Sequence, residues 1–171
     1  MSVARIRSAT PADAALVADL GRRTYLEHFE HLWAPAELYE WLDGQFGAAV
    51  LAADLATGDA RYDLLFADDV PMGYAKTRPD RAVTAMQDLR GLELQKIYFL
   101  RAATGRGFGS LLLAHILERA DASGEPLVWL DVLQSNEGGR RLYERFGFEV
   151  VAEKRGLAGN DLAFFVMVRR R

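Results

Sequence analysis

Three glycines alternate at positions 105, 107 and 109, with Arg106 between the first two and Phe108 and Ser110 beside the third. Glycine lets a backbone turn tightly and approach a ligand with no Cβ in the way. A helix that starts at such a turn offers unpaired N–H groups and a partial positive charge. Together these features suit a phosphate or diphosphate, and Arg106 adds a full charge inside the turn. The same residues also suit a tight strand-to-helix turn that binds nothing. Two nucleotide motifs fail here. A P-loop needs GxxxxGK followed by Ser or Thr, and this turn holds no Lys. A dinucleotide fingerprint needs GxGxxG, but the sixth position is Ser110 counted from Gly105 and Leu112 counted from Gly107.

Other chemistries are excluded more simply. The chain of 171 residues has no cysteine, which removes disulfides, thiolate metal sites, iron–sulfur clusters and a cysteine nucleophile. His28 and His31 are three apart, a spacing compatible with a metal, but no third ligand is apparent and the next histidine is His115. No metal is expected. Ser110 and Ser135 lack assembled His and Asp partners, which argues against a hydrolase triad. Lys plus Arg is 21 and Asp plus Glu is 24, a formal charge of −3, with no general attraction to nucleic acid or an anionic membrane. The basic end 169–171 reads as a frayed tail. No apolar run reaches the length of a membrane span, and Arg5, Arg7 and Asp13 interrupt any signal-peptide core. A cytoplasmic protein of one domain, 1–171, is the expectation.

The elements that must hold the glycines follow from periodicity. A short strand at 3–7 precedes a helix start at Thr10-Pro11, where Thr10 can cap and Asp13 faces the positive dipole end. Leu16, Val17, Leu20, Tyr25 and Phe29 keep a helical apolar face. Further helices are expected from Pro35 to about Gly47 and over 48–57, and a hairpin over 62–77. The stretch 78–91 is polar and irregular and reads as a loop with some helix. The strand 92–100 runs through the glycines into a helix over 110–122. A strand at 127–133, a helix from Asn136 to about Phe146, and a final hairpin of 148–154 and 162–168 joined by a glycine-bearing loop complete the chain. Such an order implies an α/β (α+β) protein with a mixed sheet and helices packed on it.

With these pieces placed, the sequence resembles the GNAT acetyltransferase superfamily. ELQKIYFLRAATGRGFGSLLLAHILERA, 93–120, is similar to its acetyl-CoA motif Gln/Arg-x-x-Gly-x-Gly/Ala, with Thr104, Gly107 and Gly109 at the defining places. LDVLQSNEGGRRLYERFGFEV, 130–150, resembles the second motif: a strand, Asn136, Tyr143, then Gly147-Phe148. TYLEHF and ELQKIYFL are further similar to bacterial spermidine/spermine N-acetyltransferases and their relatives. The fold implied is a mostly antiparallel central sheet of about seven strands flanked by helices.

The resemblance also implies roles. Backbone groups of Ile97, Tyr98 and Phe99 would bond the pantetheine arm and the acetyl carbonyl of acetyl-CoA. The N–H groups from Gly105 through Arg106, Gly107, Phe108 and Gly109 to Ser110 would hold its diphosphate. Asn136 would bond the arm as well as cap its helix, and Arg145 would reach a phosphate. Thr104 replaces the family's Gln or Arg, an anchor that Arg106 could supply. Gly138-Gly139 loosens a helix start by about 1 kcal/mol per glycine relative to alanine. Glu93, eleven residues before Thr104, matches a base found in some members, or else is a paired or solvated strand-end carboxylate. A water chain is the other candidate base. Tyr143 would protonate the leaving thiolate, a role compatible with packing against Leu142, Phe146 and Phe148. Arg140 reads as solvated face.

The acceptor implied is a primary amine on a small molecule, polyamine-like in view of Glu27, Glu30, Glu37, Glu40 and Asp43. A solvated helix face explains the same carboxylates. Segments 22–46 and 78–91 would line the acceptor site, with Trp33, Tyr39, Trp41 and Phe46 as core or border. A peptide amine as acceptor, a non-catalytic acyl-CoA-binding module, and a homodimer remain open alternatives.

Overall fold

The structure, a computed structural model, describes residues 3–156 and 162–171. Among these residues seven strands form one sheet: β1 (Ala4–Ser8), β2 (Arg61–Ala67), β3 (Val70–Val83), β4 (Met86–Phe99), β5 (Leu127–Leu133), β6 (Glu149–Arg155) and β7 (Ala163–Arg170), in the order β1-β2-β3-β4-β5-β7-β6. The β4–β5 pair is parallel, while β1–β2, β2–β3, β5–β7 and β6–β7 are antiparallel. The mixed, mostly antiparallel sheet expected from the sequence is therefore present. The helices are α1 (Ala14–Phe29), α2 (Pro35–Phe46), α3 (Ala48–Thr57), α4 (Phe108–Ala122) and α5 (Glu137–Arg145). Two compact units divide the chain: Met1–Thr77 with Lys96–Leu112, and Arg78–Gln95 with Leu113–Arg171.

In the first unit the helical apolar stripes bury onto the alternating face of β2. Val17, Leu20 and Tyr25 of α1, Leu38, Leu42 and Phe46 of α2 and Leu51 of α3 pack with Tyr62, Leu64 and Phe66. Gly21 is required by closeness: a Cβ there would lie 2.3 Å from the Phe46 ring. The chain enters α1 through a 3-10 turn, Pro11–Asp13. Asp13 fixes that entry. Its carboxylate accepts two hydrogen bonds from Arg7, both 2.8 Å, and one from the Thr10 N–H at 2.8 Å.

In the second unit α4 buries Leu113, Ile116, Leu117 and Ala120, the i, i+3, i+4, i+7 stripe of an amphipathic helix. Val83, Leu127, Trp129, Val166 and Val168 form a buried cluster of their own in this unit, with Leu89 and Ala152 packed against it.

Three expectations need correction. The segment 78–91 is not a loop with helix: β3 continues to Val83 and β4 starts at Met86, with a turn at 84–85. Its arms are mostly solvent-facing, so charges fill positions where alternation would otherwise be read; Val83, Leu89 and Gly91 turn inward or approach the core, and the Arg81 carbonyl accepts from Trp129 Nε1 at 3.2 Å. Gly91 marks a close approach, since a Cβ there would lie 2.5 Å from the Leu127 carbonyl. The basic end is not frayed either. Arg169 and Arg170 pair with Val128 and Leu127 in the sheet, and Arg169 makes a two-pronged contact with Asp121 at 3.0 and 3.1 Å. Finally, α4 starts at Phe108, two residues before the expected Ser110. The loop expected between β6 and β7 falls mostly on 157–161, outside the described residues.

The Arg7 hydrogen bonds, followed by those of Thr10, hold the Asp13 carboxyl well below the usual carboxylate range, against the opposing effect of burial. A depressed folded-state value stabilises the fold fully above the unfolded value near 4 and progressively less as pH falls below it. Asp13→Asn is expected to lower stability at pH 7 by about 1 kcal/mol, roughly 2–4 °C in Tm, allowing for the partial exposure of Arg7. The gap should narrow below about pH 4. Thermal melts from pH 7 to pH 2 check this, and a constant gap would contradict it.

Candidate functional site

The first unit holds the glycine turn. β4 leads through the 3-10 turn Arg101–Ala103 to Thr104 and the glycines. Gly105 and Gly107 have φ of +76° and +78°. This left-handed region strains a residue with a Cβ by about 1–2 kcal/mol, even though no atom lies within 4 Å of either added Cβ. The requirement at both positions is conformational rather than steric. The Leu111 N–H bonds the Gly107 carbonyl at 3.1 Å, which starts the α4 ladder. The N–H groups of Phe108, Gly109 and Ser110 therefore precede the ladder, at the positive end of a 15-residue helix. Phe108 and Leu112 are buried and anchor this end, while Thr104 to Gly107 are exposed. The Arg106 guanidinium rests 4.7 Å from the centre of the Phe108 ring, which keeps its charge at the turn.

The strand before the turn shows which backbone groups face which way. The Leu100 N–H donates to the Met72 carbonyl of β3 at 2.8 Å. By strand alternation, the groups of Tyr98 also face β3, and those of Ile97 and Phe99 face the other side. The Phe99 carbonyl is engaged there by His28 Nε2 at 2.8 Å. The Tyr98 ring packs among Tyr25, Phe29 and Tyr74, with centroids 5.6–6.1 Å away. Gly73 lets β3 pass this strand, because a Cβ there would lie 2.3 Å from the Phe99 ring. Lys96, buried, donates to Gln45 Oε1 at 2.8 Å.

Glu93 lies further back on β4, half-buried, in register with Trp129. The parallel ladder pairs Leu92 with Val128 and Glu93 with Trp129 and goes no further among the described residues.

The second unit holds the other motif. Asn136 caps α5, its Oδ1 accepting from the Gly139 N–H at 2.9 Å. Gly139 has a packing reason that its helix propensity hides: a Cβ would meet the Asn136 side chain at 2.7 Å. Tyr143 is buried at 8% exposure, edge-on to Phe148 at 5.8 Å. Its hydroxyl has no protein partner among the described residues, so its donor is unspent. Burial pushes the phenol well above its usual value. Arg145 is exposed. Arg140 is half-buried rather than simply solvated: its Nε lies 3.2 Å from Glu144, and its guanidinium lies 5.5 Å from the centre of the Phe165 ring.

The aromatic and acidic segment 22–46 is partly committed to structure. Trp33 Nε1 donates to the Tyr25 hydroxyl at 3.0 Å, and Tyr25 and Trp41 pack at 4.2 Å. Glu27 bonds the Arg101 N–H and Asp43, itself exposed, pairs with Arg22, while Glu30, Glu37 and Glu40 are exposed as well. No group of three or more potential metal ligands occurs among the described residues, and no described helix is long and apolar enough to cross a membrane. Sequence reasoning missed the engagement of Phe99 and Arg101 by the end of α1. The only signal was His28 itself, which had been weighed for a metal.

Residues 23–148 match the sequence profile of the acetyltransferase (GNAT) family, and the chain belongs to that family. Among curated relatives, an uncharacterized N-acetyltransferase of Mycobacterium tuberculosis is 30% identical over 163 residues, 92% of this chain and 97% of the relative. Another, from Lactobacillus delbrueckii subsp. lactis, is 25% identical over 83% of this chain and 82% of its own length. Among solved structures, the PaiA N-acetyltransferase of Thermoplasma acidophilum in complex with coenzyme A superposes with a TM-score of 0.79 at 17% identity, covering 99% of both chains. An acetyltransferase of Salmonella typhimurium with acetyl-CoA gives 0.67 at 19% identity, over 99% of this chain and 94% of the other. The protein is a GNAT-type acetyltransferase with the mixed sheet of that fold.

Asn136→Ala removes the cap and is expected to lower stability by about 1 kcal/mol, while Asn136→Asp keeps it within a few tenths. Denaturant titration checks this; equal losses in both variants would contradict the capping role.

Proposed function

We propose that the chain transfers the acetyl group of acetyl-CoA to a primary amine of a small molecule by direct attack in a ternary complex. One observation carries this reading. In a member of the GNAT family, two left-handed glycines deliver unladdered N–H groups at the head of α4, an arrangement suited to a diphosphate. The residues present fit that group: the turn is exposed, its N–H groups are outside the helix ladder, and Arg106 adds charge. Acetyl-CoA, when bound, supplies an activated thioester.

The chain's own residues then have two protons to handle. An alkyl amine with a reference pKa near 10.4 is protonated at neutral pH and must lose a proton before it attacks. Glu93 is the proposed acceptor of that proton, directly or through water. Tyr143 is the proposed donor to the departing thiolate. Its pKa is raised, so the phenol keeps its proton through neutral and moderately alkaline pH. The unspent hydroxyl supports the assignment. Backbone N–H groups of Ile97 and Phe99, which alternate away from β3, are proposed to hold the pantetheine arm, together with Asn136; Arg145 is proposed for a phosphate. For Tyr98, the inward backbone and packed ring favour a structural part beside its expected binding one.

A polyamine-like acceptor is the finer proposal. Its support is the similarity of TYLEHF and ELQKIYFL to spermidine/spermine acetyltransferases, together with exposed Glu30, Glu37 and Glu40.

Thiol release with acetyl-CoA and a panel of polyamines, amino acids, aminoglycosides and peptides tests the reading. Tyr143→Phe is expected to lower kcat by roughly 10²-fold with the KM for acetyl-CoA within about threefold. Because the raised pKa keeps the phenol protonated, the parent should show no alkaline limb from Tyr143 below about pH 10. Parental activity of Tyr143→Phe at every pH would remove its role as acid. Glu93→Gln should abolish the acid limb of kcat/KM for the amine; an unchanged profile would reject Glu93 as base.

A further inference from the structure

The last turn of α1 and the exit of β4 hold one another by an exchange of caps. The Arg101 N–H is the first donor of the 3-10 turn Arg101–Ala103, a position with no partner inside the turn. It donates to Glu27 Oε2 at 2.5 Å. In return the Arg101 guanidinium donates to the backbone carbonyl of Glu27, one of the last four carbonyls of α1, where a cation also favours the helix dipole. Next in sequence, His28 Nε2 lies 2.8 Å from the Phe99 carbonyl. A carbonyl only accepts, so Nε2 carries the hydrogen. The Phe99–Leu100 peptide is consequently tied at both ends, its C=O to His28 and its N–H to the Met72 carbonyl at 2.8 Å. Ala103 and Thr104 continue the chain of ties, their N–H groups bonding the carbonyls of Leu100 and Arg101 at 2.8 and 3.1 Å. Every tie ends where the two left-handed glycines begin.

We propose that Glu27 and His28 are positioning residues for coenzyme A: they pre-shape the β4 exit, and through it the glycine turn, so that the N–H groups at 105–110 already converge when the diphosphate arrives. This rests on the acetyl-CoA reading above and adds to it two residues outside both motifs. The gain is preorganisation. A turn fixed beforehand loses less conformational freedom on binding than one that must be ordered by its ligand. The Glu27 and His28 contacts lie about 70 residues away along the chain, 74 and 71 respectively, so local sequence does not supply them.

The test is calorimetric titration of coenzyme A into the full chain and its His28→Ala, His28→Gln, Glu27→Ala and Glu27→Gln variants, with steady-state kinetics and thermal melts alongside. In His28→Ala and Glu27→Ala, the Kd for coenzyme A and the KM for acetyl-CoA should rise about tenfold. At saturating acetyl-CoA, kcat should change by no more than about threefold. His28→Gln keeps an N–H donor of similar reach and should recover most of the loss. Glu27→Gln, with an oxygen still facing the Arg101 N–H, should be milder than Glu27→Ala. Affinities within twofold of the parent in both alanine variants would overturn the proposal. So would losses that follow the drop in Tm and are not recovered by His28→Gln. A parent that itself gives no heat overturns the acetyl-CoA reading and this proposal with it, whereas a binding parent with indifferent variants overturns this proposal alone.

Discussion

A short row of backbone N–H groups at the start of α4 is the constraint around which the first unit is built. Helix geometry leaves these donors without partners, and a buried set would cost several kcal/mol. They are tolerated because the turn before them is open to solvent. They are aimed because Gly105 and Gly107 sit at φ near +76° and +78°, where other residues are strained. Phe108 and Leu112 anchor the helix end below the turn. On the other side of the turn, β3 and the end of α1 tie the Phe99–Leu100 and Leu100–Arg101 peptides, and the 3-10 turn itself bonds the Ala103 and Thr104 N–H groups. The proposed grip on a diphosphate therefore depends less on particular side chains at the turn than on a backbone held in a costly shape.

Much of this was visible in the residues. The alternating glycines, the amphipathic stripe of α4, the strand β5 and the cap at Asn136 each follow from local pattern or from one residue's preference. The 78–91 arms were hidden because a strand pair with little burial need not alternate, so charges at Arg78, Asp80, Arg81, Asp88 and Arg90 masked two strands as a loop. Gly139 looked like a weakness in α5 until the Asn136 side chain was seen to need its space. His28 suggested a metal by its spacing from His31, whereas its actual partner is a carbonyl 71 residues away. Long-range pairing of this kind leaves no trace in local sequence.

The second unit contributes differently. Asn136, Tyr143 and Arg145 sit on or at the start of one short helix whose cap, ring packing and ion pairs account for its stability without them having to bind anything. What packing does not use is the Tyr143 hydroxyl. Burial keeps this phenol protonated, so its O–H stays in place as a hydrogen-bond donor and no standing phenolate is available as a base. The carboxylates of segment 22–46 divide too: Glu27 accepts the Arg101 N–H and the exposed Asp43 pairs with Arg22, whereas no such bond engages the exposed Glu30, Glu37 and Glu40 among the described residues.

The most direct measurement is an amide NMR titration of the assigned protein with coenzyme A. If backbone donors at the β4–α4 junction grip the diphosphate, the largest shifts will fall on Gly105, Gly107, Gly109 and Ser110, and dephosphorylated pantetheine will move them far less. Silent signals at those four positions, with or without changes elsewhere, would contradict the account.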